Sequence, residues 1–218
     1  MSDLYGKQHR NLQHEFGREQ LADRVSEAIV TDMITDEHSA FISSRDFFFL
    51  STLDHRGFPT CSHKGGEIGF VKVLDDKTLM FPSLDGNGMY LSMGNIDQHQ
   101  QVGLLFIDFE TPHRVRVHGH AKLSRDPADL GHFREAELVV KVTIAEIFQN
   151  CPRYIHRYQR VTPSRYIPSS QCPTPIATWK RLDVVQDVIS DVEREKVSQS
   201  GGEIDFDTYV KLLGEGKA

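Results

Sequence analysis

The segment from Arg114 to Leu123 constrains this chain more than any other. Val115, Val117, Gly119, Ala121 and Leu123 alternate with Arg114, Arg116, His118, His120 and Lys122. Side chains on a strand alternate faces with period two, so the pattern predicts a β-strand with one apolar face and one basic face. The basic face is either a solvated outer surface or one that meets an anion or a partner subunit.

Other strand-forming runs recur around it. Residues 47–53 and 58–64 flank the turn chemistry of Asp54-His55-Arg56-Gly57. Residues 70–74 and 78–81 are joined by Asp75-Asp76-Lys77. Residues 101–109 lead across Thr111-Pro112 into the alternating strand. A short helix over 127–133 precedes a strand over 138–144. Strands so spaced, with hairpin turns between them, predict an antiparallel sheet closing into a barrel.

Helical patterns lie at both ends. Leu21, Val25, Ile29 and Met33 form one apolar stripe within a helical reading of 15–44, and Asp36 is placed to cap a short second helix. Leu182, Val185, Val188, Ile189 and Val192 mark a helix with one apolar face, and 206–213 a last turn or two. The expected fold class is therefore mainly β with flanking helices (α+β). The expected domains are a helical extension over 1–41, a barrel over 42–160, and a basic loop with an acidic helical extension over 161–218.

Charge narrows the function. The chain carries −6 overall, with −4 in residues 1–40 and −4 in 181–218. This argues against non-specific nucleic-acid binding, which needs a broad basic footprint. The longest aromatic-aliphatic run, Phe47-Phe48-Phe49-Leu50, is far short of a membrane span. The opening MSDLYGKQHRNLQHEF has no apolar stretch, so no secretory leader is expected. Three cysteines make no disulfide framework and suggest a reducing cytoplasm. His118 and His120 share a strand face but have no companion at ligand spacing, so no metal site is expected.

Three segments could carry chemistry. Ser62-His63-Lys64-Gly65-Gly66 ends a hairpin; its glycines either mark a plain bulge or let the backbone approach a flat ligand. Residues 83–95, from Ser83 through Asn87-Gly88-Met89 to Asn95, follow a strand and enter a short helix, either as a simple turn or as a phosphate cradle. Residues 147–182 hold six basic and no acidic side chains. There Trp179 and Lys180 could cover an aromatic ring while supplying charge.

Together these residues resemble the pyridoxamine 5'-phosphate oxidase family. The resemblance runs through the first hairpin with Ser62-His63-Lys64-Gly65-Gly66, residues 69–79, Gly86-Asn87-Gly88-Met89 with Gly94-Asn95-Ile96, residues 103–109 and 114–121, and residues 150–155. It implies an FMN-binding split β-barrel that works as a homodimer with flavin at the interface. Ser62, His63, Lys64 and Gly65 would line the flavin ring. Phe81, Ser83, Asn87, Gly88 and Met89 would hold the ribityl phosphate. Oxidases of the family carry a basic pair where Gly88-Met89 stands here. The phosphate's counter-charge would then come from Lys64, Lys72, Arg114 and Arg116, or the loop with Trp179 and Lys180. The expected function is an FMN-dependent oxidoreductase on a small organic substrate, with no side chain assigned as acid or base. The alternatives are a non-catalytic flavin carrier or a split barrel that binds haem or a deazaflavin.

Overall fold

The computed structural model describes residues 4–218. The chain divides into two compact units, Met1–Val161 and Thr162–Ala218. The first contains a seven-stranded antiparallel sheet: β1 (Phe47–Leu53), β2 (Pro59–Gly65), β3 (Lys72–Val73), β4 (Thr78–Leu84), β5 (Gln101–Asp108), β6 (His113–Ser124) and β7 (Ala136–Asn150). Its order is β2-β1-β5-β6-β7-β4-β3. Helices α1 (Lys7–Glu15), α2 (Glu19–Ile29) and α3 (Asp36–Ser43) precede it. Helix α4 (Leu91–Gln98) links β4 to β5, and the single turn α5 (Pro127–Leu130) links β6 to β7.

The alternation in β6 is realised as expected: Val115, Val117, Gly119 and Ala121 are buried, whereas Arg116, His118, His120 and Lys122 face outward. Buried apolar positions of β1, β4, β5 and β7 join the same core. Phe48 anchors it, with its ring 4.9 Å from Phe81, 5.1 Å from Phe106 and 5.9 Å from Phe70. Side chains of this size stabilise by about 1.5–3 kcal/mol each when fully buried. Gly119 is required by packing, since a Cβ there would lie 2.5 Å from the Thr143 carbonyl oxygen.

β7 is longer than the 138–144 expected because two bulges let it continue. Its ladder with β6 skips Ala145, and its ladder with β4 skips Glu137. Across the first bulge the inward set changes from Val140, Val142 and Ile144 to Ile147. The strand expected over 70–74 shrinks to Lys72–Val73, because Phe70 and Val71 plug the core.

The helical reading of 15–44 is corrected. Gly17, at φ +61°, separates α1 from α2. Beyond Ile29 the chain turns extended, and Thr31 exchanges backbone hydrogen bonds of 3.0 and 2.7 Å with Ile147. Met33 therefore lies outside any helix, and the stripe Leu21, Val25, Ile29, Met33 is exposed. Thr35, not Asp36, caps α3, its hydroxyl accepting the His38 N–H at 3.3 Å.

In the second unit, Thr178–Arg181 and Asp183–Val185 form 3₁₀ turns, followed by α6 (Asp191–Gln199) and α7 (Phe206–Gly214). The helix expected from Leu182 to Val192 does not form. The Gln186 side-chain amide donates to the carbonyls of Lys180 and Leu182 at 2.8 and 2.7 Å, fixing a tight turn. A capping box between Ser190 and Glu193 then starts the helix at Asp191. Lys180 is buried here and donates to Glu193 at 2.7 Å. That bond, with those from Ser190, holds the Glu193 carboxyl down at about 2.

The β1–β2 turn is built on Asp54, which is buried. It accepts the N–H groups of Arg56 and Phe58, both at 2.9 Å, and the Arg56 guanidinium at 2.6 Å. Burial alone would raise its carboxyl, but these donors pull it to about 2. A depressed carboxylate contributes stability above the ordinary value near 4, and that contribution is lost as pH falls through about 2. We therefore expect Asp54→Asn to be less stable than the wild type at pH 7. We also expect the two to converge between pH ~4 and ~2 in urea denaturation measured across pH.

Candidate functional site

The sheet order leaves β2 and β4 without hydrogen bonds to each other, and α4 spans the gap. The helix is tied to the first hairpin through buried polar groups. The Asn95 side-chain amide donates to the hydroxyls of Thr52 and Thr60 at 3.0 and 3.2 Å, and those hydroxyls bond each other at 2.7 Å. One turn earlier, the Ser62 and Ser92 hydroxyls meet at 3.0 Å.

A cleft of about 270 Å³ lies in this gap, lined by Ser62, Lys64, Ser83, Asn87, Gly88 and Met89, together with Tyr90, the first turn of α4 and Glu137. The six named first come from two expected segments well separated in sequence, and the fold brings them together. The period of β2 explains the first pair: Thr60, Ser62 and Lys64 face inward, whereas Cys61 and His63 face out. The loop is fixed by Asn87, whose side-chain oxygen accepts the Met89 N–H at 3.1 Å, and by Gly88 at φ +74°. Tyr90 precedes the helix in the left-handed region, and no side chain caps α4. The amides of an uncapped first turn and the helix dipole both favour an anion. Among the described residues Lys64 is the only cation lining the cleft, and burial pushes its ammonium below the usual lysine range.

The remaining expected residues lie elsewhere. The His63 ring stacks on Phe47 at 5.5 Å, on the outer face of the hairpin. Gly65 pairs with Phe47 in the ladder. A Cβ at its neighbour Gly66 would lie 2.4 Å from the Phe70 ring, so what approaches that backbone closely is a core side chain. Phe81 is wholly buried against Phe48. Arg114 and Arg116 sit on β6, across the sheet from the cleft. Arg116 lies 5.6 Å over the Phe148 ring and lines an outer groove of about 390 Å³ with Phe49, Leu105 and His118. The Arg114 Nε and the Oδ1 of its cross-strand partner Asn150 are buried without partners. Trp179 and Lys180 belong to the second unit.

Part of the basic stretch binds the barrel itself. Arg160 pairs with Asp46 at 2.5 Å, and Arg157 donates to the Glu110 carbonyl at 3.0 Å. The Arg160–Asp46 pair, the Arg45–Asp108 pair at 2.9 Å, and Phe47, Phe109 and Tyr158 border a second hollow that the motifs did not announce. Glu137 was also missed. It precedes the expected strand, and a bulge leaves no period by which to find it. Among the described residues, no group of three or more His, Cys, Asp or Glu is placed to hold a metal ion. No helix among them is long and apolar enough to cross a membrane.

A family model described as pyridoxamine 5'-phosphate oxidase matches residues 34–152, which include β1 to β7 and every segment lining the cleft. The chain belongs to the pyridoxamine 5'-phosphate oxidase family. That is a flavin-binding family, and the seven-stranded sheet with its gap is the family's split barrel. No curated relative matches the sequence. Among solved structures, a proposed pyridoxamine 5'-phosphate oxidase from Lactobacillus delbrueckii is similar at 25% identity, covering 54% of this chain and 95% of that one, with a TM-score of 0.44. HupZ of Group A Streptococcus is similar at 21% identity, covering 54% and 94%, with a TM-score of 0.44. The FAD binding protein of Mycobacterium smegmatis is similar at 18% identity, covering 54% and 95%, with a TM-score of 0.38.

The Asn95 amide should matter to this family member's cleft and stability alike. Asn95→Ala leaves the buried Thr52 hydroxyl and the half-buried Thr60 hydroxyl short of a donor, and we expect a loss of about 1–3 kcal/mol in urea denaturation. A double-mutant cycle with Thr60→Val should show coupling, because the two groups share one network.

Proposed function

We propose that the chain is an FMN-dependent oxidoreductase that acts on a small organic substrate as a homodimer. The observation that carries this reading is the convergence of Ser62 and Lys64 with the 83–89 loop at the uncapped start of α4. The donor set fits a flavin. Lys64 is a half-buried ammonium with room for an anionic or carbonyl partner. The hydroxyls of Ser62, Ser83 and Ser92 and the Asn87 amide suit a ribityl chain. FMN, when bound, supplies the redox chemistry, while the chain supplies orientation, water exclusion and charge.

Dimerisation is supported by the outer face of β1, β5 and β6, where Phe49 and Leu105 border an open groove. Isolated sheet faces and edges of this kind invite a covering partner. The unpartnered Arg114 Nε on β6 and Asn150 Oδ1 on the neighbouring β7 would gain from one. Three free, exposed cysteines favour a reducing cytoplasm.

Purified protein titrated into FMN should quench its fluorescence with one flavin per chain, and light scattering should give twice the 24.8 kDa chain mass. Reduction of the bound flavin by NADH or NADPH, followed by turnover with an acceptor, separates an enzyme from a carrier. A spectrum with a Soret band would replace flavin by haem.

Lys64→Ala should weaken FMN binding about 10- to 100-fold, the equivalent of losing a charge-assisted hydrogen bond of about 1.5–3 kcal/mol. His120→Ala, on the exposed face of β6, should leave FMN affinity unchanged in the same titration.

A further inference from the structure

The cleft holds a carboxylate, and no second cation lines it among the described residues. Glu137 lines it, and the Tyr90 hydroxyl donates to its Oε2 at 2.7 Å. Two independent features of the backbone place it there. In the β4–β7 ladder Ser83 pairs with Leu138 and Leu84 with Ala136, so Glu137 is the unopposed residue of a bulge. Bulges re-aim a side chain out of the regular pleat. Tyr90, which holds the carboxylate, has φ 47°, a conformation rare for an aromatic residue. A tyrosine in left-handed backbone reaching a glutamate on a bulge is a specific arrangement.

Charge accounting follows from the lining residues. Lys64 contributes one positive charge, Glu137 one negative charge, and the first turn of α4 a partial positive charge. A ribityl phosphate brings roughly −1.5 to −2 at neutral pH, as any phosphomonoester does. The two side-chain charges cancel, so that group gains only the partial charge of the helix start. A ribityl hydroxyl, in contrast, can donate directly to Glu137.

Resting on the flavin reading above, we propose that Glu137 is a specificity-determining residue that cancels the phosphate's contribution. The cleft then takes FMN and unphosphorylated riboflavin with nearly equal affinity, its grip residing in the ring and the polyol.

The test is a side-by-side fluorescence titration of the full-length protein with riboflavin and with FMN at pH 7.5, for the wild type, Glu137→Gln and Tyr90→Phe. Glu137→Gln preserves shape and hydrogen bonding. We expect wild-type dissociation constants within about threefold of each other. We expect Glu137→Gln to tighten FMN about three- to tenfold, the effect of removing one like charge near a solvent-open site. Riboflavin affinity should then change by less than twofold. Tyr90→Phe should leave the FMN-to-riboflavin ratio near the wild-type value, because the charge remains. A wild type that binds FMN more than tenfold tighter than riboflavin overturns the proposal while leaving the flavin reading intact. So does an unchanged ratio in Glu137→Gln. A wild type that binds neither flavin overturns both.

Discussion

The cleft depends on one buried amide. β2 and β4 share no ladder, so no direct backbone pairing fixes the distance between the walls that carry Lys64 and the 83–89 loop. Asn95 supplies that constraint by donating to Thr52 and Thr60 from a helix whose other end opens the site. A buried network is worth most when every member is satisfied, and here the two threonine hydroxyls also bond each other. The Ser62–Ser92 contact repeats the tie closer to the cleft. These bonds hold the uncapped start of α4 beside the strand that carries Lys64.

Much of the barrel was legible because its strands obey a two-residue period and its turns use the residues that turn geometry demands. β6 is the clearest case, and Ser62 with Lys64 could be placed on one face by the same rule. Legibility failed where side chains competed with the backbone. Gln186 diverts 182–190 from a helix, and Thr31 joins the sheet through Ile147 where the apolar period pointed to continued helix. It failed also where pairing departs from the regular ladder. Glu137 and Ala145 are both unopposed, and no linear pattern marks an extra residue in one strand of a pair.

Basic residues 153–181 divide between two uses. Arg157 and Arg160 fasten the chain after β7 to the β5–β6 hairpin and the start of β1. Lys180 is buried in the second unit with Glu193, and Arg165 bonds to Tyr166 and Thr178 there. Arg160 and Lys180 find their counter-charges at distant positions, and Arg157 and Arg165 bond carbonyl and hydroxyl oxygens, which is why composition alone announced a ligand.

The bulge at Ala145 divides β7 into two reading phases. Before it, even-numbered residues face the core; after it, Ile147 does, and Phe148 turns outward to meet Arg116 and His118. One strand therefore serves two audiences, the barrel interior along its first stretch and the outer groove along its second. A homologue that lost or gained a single residue between Ile144 and Ile147 would keep nearly the same composition there. It would nonetheless exchange the two faces over the remainder of the strand, presenting polar groups to the core and an aliphatic surface to the groove. Insertions and deletions should accordingly be excluded from this short interval even where neighbouring substitutions are tolerated.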